Sequence, residues 1–341
     1  MKKQVLILFL SIFVSTVIGQ TICVEVDKIW DVDTHSAFTS LIKFNDEYYC
    51  SFREGASHVF DKDGNAEGKV RVIKSSDGKN WESVALLGMN GIDLRDPKLS
   101  ITPTGRLMMI IGGSIYKDRK LTGMVPHVSF SEDGHRFSDP VPVTINDFAG
   151  NGKDWIWRVT WNNGLGYGTL YSLNDDGETK LSLLSTSDGI HYNLVTKFDI
   201  PDFPNEATAR FDSHGDMYMM VRRERGNQKG YWGKSSAPYT EWTWKEMDFR
   251  LGGPDFVHLN DSLIVMGTRS HYTSFPKTVV LAGNGTERFQ EVYVLPSGGD
   301  TSYPGLIVED DQIWVCYYSS HESNNASIYL AKMPLSLFYS E

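Results

Sequence analysis

Cysteine is scarce in this chain. Among 341 residues there are three, Cys23, Cys50 and Cys316, an odd number that excludes a disulfide-built scaffold while leaving room for one bridge. No Cys/His spacing suits a metal, so neither a metal nor a cofactor is expected. Basic residues are outnumbered: 33 Lys and Arg stand against 43 Asp and Glu, a formal net charge of -10. That balance argues against a nucleic-acid partner, although a local arginine cluster can reverse the field inside a pocket. Past the first residues no apolar run is long enough to span a bilayer, so membrane insertion is not expected. Sustained helical periodicity is missing too, as is any Pro/Ser-rich linker that would divide the chain.

The start of the chain reads as a secretory signal. Lys2 and Lys3 precede an apolar run over residues 5–14, and Val17 and Gly19 occupy the -3 and -1 places of a cleavage site. The expectation is an exported protein, periplasmic or secreted, with residues 1–19 removed and residues 20–341 forming one domain.

What is abundant is a repeated turn. Ser75-Ser76-Asp77-Gly78-Lys79-Asn80-Trp81, Ser131-Glu132-Asp133-Gly134-His135-Arg136-Phe137 and Thr186-Ser187-Asp188-Gly189-Ile190-His191-Tyr192 share the form Ser/Thr-x-Asp-Gly-x-x-aromatic. Asp-Gly supplies the positive-φ positions of a tight hairpin turn, and the hydroxyl and carboxylate can bond nearby backbone N–H groups. A turn needs no chemistry to explain it, so the motif is read as structural.

A longer phrase also recurs: an apolar run, a polar turn, and a second run ending in a polar or charged residue. It occupies residues 38–53, 97–113, 159–173, 207–222, 254–269 and 304–319. Six copies about 50 residues apart fall in the range of propeller blades, and their Val, Ile, Tyr and Trp content favours strands. The expected fold is an all-β six-bladed β-propeller, with a strand over residues 22–30 closing the ring beside residues 328–333. Two β-sandwiches are the rival arrangement. In a propeller the inner strands converge on a channel, so Arg53, Arg222 and Arg269, at one repeat position of blades one, four and five, are expected at one mouth. Guanidinium groups gathered there would grip a carboxylate. Asp96, Trp157, Arg158 and His271 fall at strand ends where they could line the same mouth, and His321 follows the last phrase.

At this point the chain resembles the sialidase (neuraminidase) superfamily of six-bladed propellers. The turns look like that superfamily's Asp boxes. Phe52-Arg53-Glu54-Gly55 stands where sialidases carry Phe-Arg-Ile-Pro, and Asn205-Glu206 followed by Arg222 is similar to the segment bearing the catalytic glutamate and second arginine. Arg269 resembles the third arginine and Tyr303, in Ser302-Tyr303-Pro304-Gly305, the nucleophilic tyrosine. The resemblance implies a secreted exo-glycosidase that releases terminal sialic acid with retention. A neutral tyrosine made reactive by a glutamate avoids the repulsion that the substrate carboxylate would impose on an anionic nucleophile. The family's acid/base aspartate belongs in the loop of residues 56–69, which offers Asp61 and Asp63 and also His58, a residue able to move protons near neutrality. Two further readings stand beside this one. One is hydrolysis or elimination of another anionic, uronate- or rhamnose-containing glycan with a histidine in the catalytic role. The other is a glycan-binding propeller without catalysis.

Overall fold

A computed structural model describes residues 24–146, 152–174, 176–270 and 275–339. Among them the strands form six sheets, antiparallel but for one added strand. Blade 1 holds β2 (His35–Phe44), β3 (Glu47–Gly55), β4 (Lys69–Ser75) and β5 (Glu82–Leu87). Blade 2 holds β6 (Asp93–Ile101), β7 (Leu107–Lys117), β8 (Lys120–Ser131) and the short β9 (Val141–Pro142). In blade 3, β11 (Asp154–Asn162), β12 (Leu165–Leu173), β13 (Thr179–Thr186) and β14 (His191–Phe198) gain β10 (Thr144–Asn146), parallel to β14. Blade 4 comprises β15 (Pro204–Phe211), β16 (Met217–Arg223), β17 (Lys229–Ser235) and β18 (Thr243–Arg250). Blade 5 comprises β19 (Asp255–Asn260), β20 (Leu263–Ser270), β21 (Lys277–Gly283) and β22 (Phe289–Val294). Blade 6 is built from both ends of the chain: β23 (Thr301–Glu309), β24 (Gln312–Ser319) and β25 (Ser327–Pro334) are completed by β1 (Glu25–Trp30). Val26 stands opposite Ala331 and Asp27 opposite Leu330, the ring closure expected from the sequence. The chain is an all-β six-bladed propeller.

Burial follows each strand's place in its blade. Second strands are covered on both faces by neighbouring blades, so they read as unbroken apolar runs, such as Leu107 to Ile111 in β7 and Met217 to Val221 in β16. Outermost strands face water on one side and alternate, as in β18.

The three aspartate turns join the third and fourth strands of blades 1, 2 and 3. In the first, Ser75 Oγ accepts the Gly78 N–H at 2.8 Å, and Asp77 Oδ1 accepts the N–H groups of Lys79 and Asn80, each at 2.8 Å. Ser131 with Asp133, and Thr186 with Asp188, repeat the pattern. The glycines do more than adopt positive φ. A β-carbon on Gly78 would lie 2.2 Å from Trp314 of blade 6, one on Gly134 2.1 Å from Tyr49 of blade 1, and one on Gly189 2.7 Å from Met108 of blade 2. Each turn therefore presses its backbone against a second-strand side chain of the preceding blade, which stitches the blades together.

Cys50 and Cys316 are buried free thiols hydrogen-bonded to one another across blades 1 and 6. Cys23 and residues 1–19 lie outside the described residues.

Candidate active site

The inner strands carry a recurrent irregularity. Pairing with the second strand slips between Ala37 and Ser40 in β2, Arg95 and Lys98 in β6, Ile156 and Val159 in β11, Pro204 and Ala207 in β15, and Ser302 and Gly305 in β23. A bulge inserts an unpaired residue and re-aims its side chain. The re-aimed residues are Phe38, Asp96, Trp157, Glu206 and Tyr303, one from each of five blades. Phe38, Asp96 and Tyr303 pay for this with φ values of 69°, 47° and 52°. In the remaining blade Gly253, with φ of 60°, precedes Pro254 as Asp96 precedes Pro97 and Tyr303 precedes Pro304. The six repeated phrases begin at or just after these bulges, and the site lies in the one or two residues ahead of them.

At the mouth formed by these strand starts, Tyr303 donates its hydroxyl proton to Glu206 Oε1 at 2.5 Å. Arg222 Nη1 donates to Glu206 Oε2 at 2.6 Å and to the Tyr303 hydroxyl at 3.0 Å, and its other terminal nitrogen pairs with Glu224. The Gly253 N–H also donates to Glu206 Oε2, at 2.9 Å. Burial works to raise the Glu206 pKa, but the Arg222 charge and the Tyr303 hydrogen bond outweigh it and hold the carboxylate below its usual range. Burial and the adjacent Glu206 charge push the Tyr303 phenol well up. The pair is thus an anionic base bonded to a neutral phenol. Arg269 lies over the Tyr303 ring, 5.5 Å from its centroid, and its Nε donates to Thr301 O at 2.8 Å.

Asp96 joins this group electrostatically. Burial raises its carboxyl to about 6, with Lys98 and Arg95 pulling the other way, and its Oδ1 has no hydrogen-bond partner. Beneath it sits Lys98, which is 1% exposed and donates to Thr39 O at 2.9 Å. Its ammonium lies 4.8 Å from the Trp157 ring and 5.7 Å from the Tyr303 ring, and burial lowers its pKa to about 8.

The first of the three arginines is placed differently. Arg53 is 1% exposed, and its Nε donates to Asp93 Oδ1 at 2.7 Å while Nη1 donates to Ser57 O at 2.7 Å. Its guanidinium anchors the loop after β3, and Arg222 and Arg269 flank the tyrosine without it. Arg158 also departs from the expectation of a mouth residue. It pairs with Asp255 at 3.2 Å, beside Arg210, and lines a cavity with Ile42, Ile101 and Ile307, which lie toward the opposite ends of the inner strands. The bulge in β11 turns Trp157 and Arg158 in different directions. Trp157 is buried, donates to Thr208 Oγ1 at 3.2 Å and packs edge-on to Tyr303 at 5.6 Å, so it supports the tyrosine from below and offers no exposed platform for a sugar. Asp61 accepts N–H groups within its own bend, from Asp63 and Asn65, and Asp63 is exposed; neither contacts the tyrosine–glutamate pair. His271 lies outside the described residues. His321 contacts Ser319 and Tyr329 within blade 6.

His58 is at the mouth. Its Nδ1 stands 2.6 Å from Asp300 Oδ2, and His35 Nε2 is 3.0 Å from the same oxygen. Tyr318 donates to Asp300 Oδ1 at 2.9 Å, and Arg269 Nη2 reaches the Tyr318 hydroxyl at 3.4 Å. One ring nitrogen each of His35 and His58 and a carboxylate oxygen of Asp300 fall within 4.8 Å of one another, at separations that hydrogen bonds to that oxygen account for. Lys98, Asp300, His35 and Tyr171 are site residues that the sequence did not single out. The Tyr171 phenol is raised by burial and by the Glu206 and Asp96 charges.

A cavity of about 560 Å³ elsewhere, between Trp232, Pro238 and Lys245 on the outer rim of blades 4 and 5, holds none of these groups.

No family model matches the sequence, and no curated protein matches it. Solved structures do. A protein of unknown function from Dyadobacter fermentans superposes with a TM-score of 0.78 at 17% identity, over 91% of this chain and 99% of that one. The Hadza microbial sialidase Hz136 gives 0.71 at 15% identity, over 89% of this chain and 66% of that one. An α-L-arabinofuranosidase from Fusarium graminearum, solved with an iminosugar inhibitor, gives 0.64 at 13% identity over 92% and 98%. At these identities the likeness establishes the propeller fold.

Proposed function

We propose that this chain is an exported retaining exo-glycosidase that removes a terminal carboxylate-bearing sugar of the sialic acid type from glycans. The observation that carries the reading is the 2.5 Å contact of Tyr303 with Glu206, with one arginine touching both partners. In the reaction, the Tyr303 oxygen bonds to the anomeric carbon as the glycosidic C–O bond breaks, and Glu206 takes the phenolic proton. Arg222 stabilises the oxygen while it carries charge. Water then adds to the anomeric carbon, the bond to Tyr303 breaks, and Glu206 returns the proton; two inversions give retention. Arg222 and Arg269 orient the substrate carboxylate, and Asp96 accepts sugar hydroxyls. Export rests on the secretory pattern of residues 1–19.

The reading is tested with a 4-methylumbelliferyl sialoside and with 2,3-difluorosialic acid. Release of fluorophore by the wild type, and a sialyl adduct on the Tyr303 peptide by mass spectrometry, are expected. Absence of both from folded protein rejects the reading.

A second reading draws on the position of Arg53, which leaves two arginines beside the tyrosine. A uronate- or rhamnose-containing glycan would then be cleaved at the same mouth. Hydrolysis adds water to the products, whereas elimination leaves an unsaturated uronate, so product masses separate the two chemistries.

A further inference from the structure

A departing sugar needs a proton, and the loop after β3 offers no carboxyl at the mouth: Asp61 is turned into its own bend, Asp63 faces solvent, and Glu67 is exposed beside Leu86 and Met89. His58 stands there instead. We propose that His58, oriented by Asp300, is the catalytic acid/base that protonates the leaving oxygen and later deprotonates the attacking water, an inference that rests on the glycosidase reading.

Orientation comes first. A carboxylate 2.6 Å from Nδ1 fixes the proton on that nitrogen and leaves Nε2 to face the substrate, the arrangement that makes an imidazole directional. Asp300 is suited to the task. Although burial favours its neutral form, its contacts with His35 and His58 hold it well below the usual carboxylate range, and the Tyr318 hydroxyl fixes its other oxygen. It therefore remains an anion that stabilises the imidazolium.

Placement comes next. Three successive carbonyls of the loop are gripped from below: Arg53 Nη1 donates to Ser57 O at 2.7 Å, Arg95 Nη1 to His58 O at 3.0 Å, and Arg53 Nη2 to Val59 O at 3.4 Å. Asp93 anchors both guanidiniums, at 2.7 and 3.1 Å. Arg53 and Arg95 are positioning residues, and this is why Arg53 is withdrawn from the tyrosine. The Phe38 ring stands edge-on between the two functions, 5.0 Å from the His58 ring and 5.1 Å from the Tyr303 ring. Phe38 is itself buried, so it acts as a spacer that sets the tyrosine and the imidazole apart at the mouth. The His58 side chain is 46% exposed, so it exchanges protons with water, whereas Asp96 is buried over Lys98. The charged or titratable groups around the imidazole are Asp300, His35, Asp96 and Arg95.

The protons balance. In the first step imidazolium Nε2 gives its proton to the glycosidic oxygen as the anomeric C–O bond breaks. In the second, neutral Nε2 takes a proton from water as the water oxygen bonds to the anomeric carbon and the bond to Tyr303 breaks.

The experiment compares wild type, His58→Gln, Asp300→Asn and Asp96→Asn on sialyllactose and on the 4-methylumbelliferyl sialoside, after circular dichroism shows each to be folded. For His58→Gln, kcat/KM on sialyllactose falls about 100- to 1,000-fold. The aryl leaving group needs no proton, so the first-turnover burst of fluorophore is kept and added azide speeds later turnovers. Asp300→Asn lowers kcat/KM on sialyllactose while keeping the burst on the aryl sialoside, a leaving-group dependence that a merely structural role would not produce. Wild-type activity in His58→Gln, equal losses on both substrates, or leaving-group dependence in Asp96→Asn alone overturns the assignment to His58 while leaving the glycosidase reading intact. No turnover by folded wild type ends both.

Discussion

Gly253 lies directly against the ring of Tyr303: a β-carbon placed on it would stand 2.6 Å from Tyr303 Cγ. The same residue donates its N–H to Glu206, so one glycine sets both halves of the tyrosine–glutamate pair. Its φ of 60° adds about 1–2 kcal/mol of strain for any other L-residue. Gly253→Ala should fold with a lowered melting temperature and lose most turnover, read as a fall in kcat larger than any change in KM. Wild-type kcat in that variant would show that the ring tolerates displacement.

Tyr303→Phe and Glu206→Gln separate chemistry from stability. Loss of the nucleophile should cut turnover by about 1,000-fold or more, and loss of the base by about 100- to 10,000-fold. Glu206 binds its proton less tightly folded than unfolded. Its stabilising contribution is therefore present above the unfolded carboxylate pKa of about 4.3 and is lost as pH falls through the lower folded value. Denaturant titrations should show the gap between wild type and Glu206→Gln narrowing with acid. A pH-independent gap would contradict the depressed pKa.

Lys98 has the opposite kind of signature. Its folded pKa of about 8 lies below the unfolded value of about 10.4. Between those limits the unfolded chain holds a proton that the folded chain has released, so stability relative to a Lys98→Met variant rises with pH across that window. The buried charge costs roughly 3 kcal/mol at neutral pH, and the variant should be at least as stable there. A flat difference between pH 8 and 10.5 would refute the shift.

The aspartate turns should be separable from catalysis. Ser75→Ala removes the acceptor for the Gly78 N–H and should cost about 1–2 kcal/mol in stability with kcat unchanged. A fall in kcat without a fall in stability would give the motif a role beyond joining strands.

The fold was legible because its units repeat: two strands and a turn, six times, with a spare strand at one end. Arg222 and Arg269 stood out by their shared place at the ends of repeated phrases, whereas Glu206 and Tyr303 stood out only through the resemblance to sialidases. Arg53 shares that place with Arg222, but its direction is decided by Asp93 on the next blade, an interblade pairing that no local pattern encodes. Arg158 was misplaced because a bulge reverses the alternation that strand reading assumes. One signal was available and unread: Asp96-Pro97 and Tyr303-Pro304 mark the bulge in two blades, and a proline in a central strand points to one. Lys98 was hidden because a lysine two residues inside an apolar strand looks solvated until the channel is closed around it.

The borrowed strand in blade 6 has a bearing on when the protein can work. Tyr303 lies in β23 and Asp300 just ahead of it, in the sheet that β1 completes, so deletion of residues 24–30 should expose the edge of β25 and lower activity and solubility together. A chain emerging from the ribosome releases β1 long before β23, β24 and β25 exist for it to pair with. Joining head to tail therefore waits for the last strands, and the cleft stays inert until they arrive.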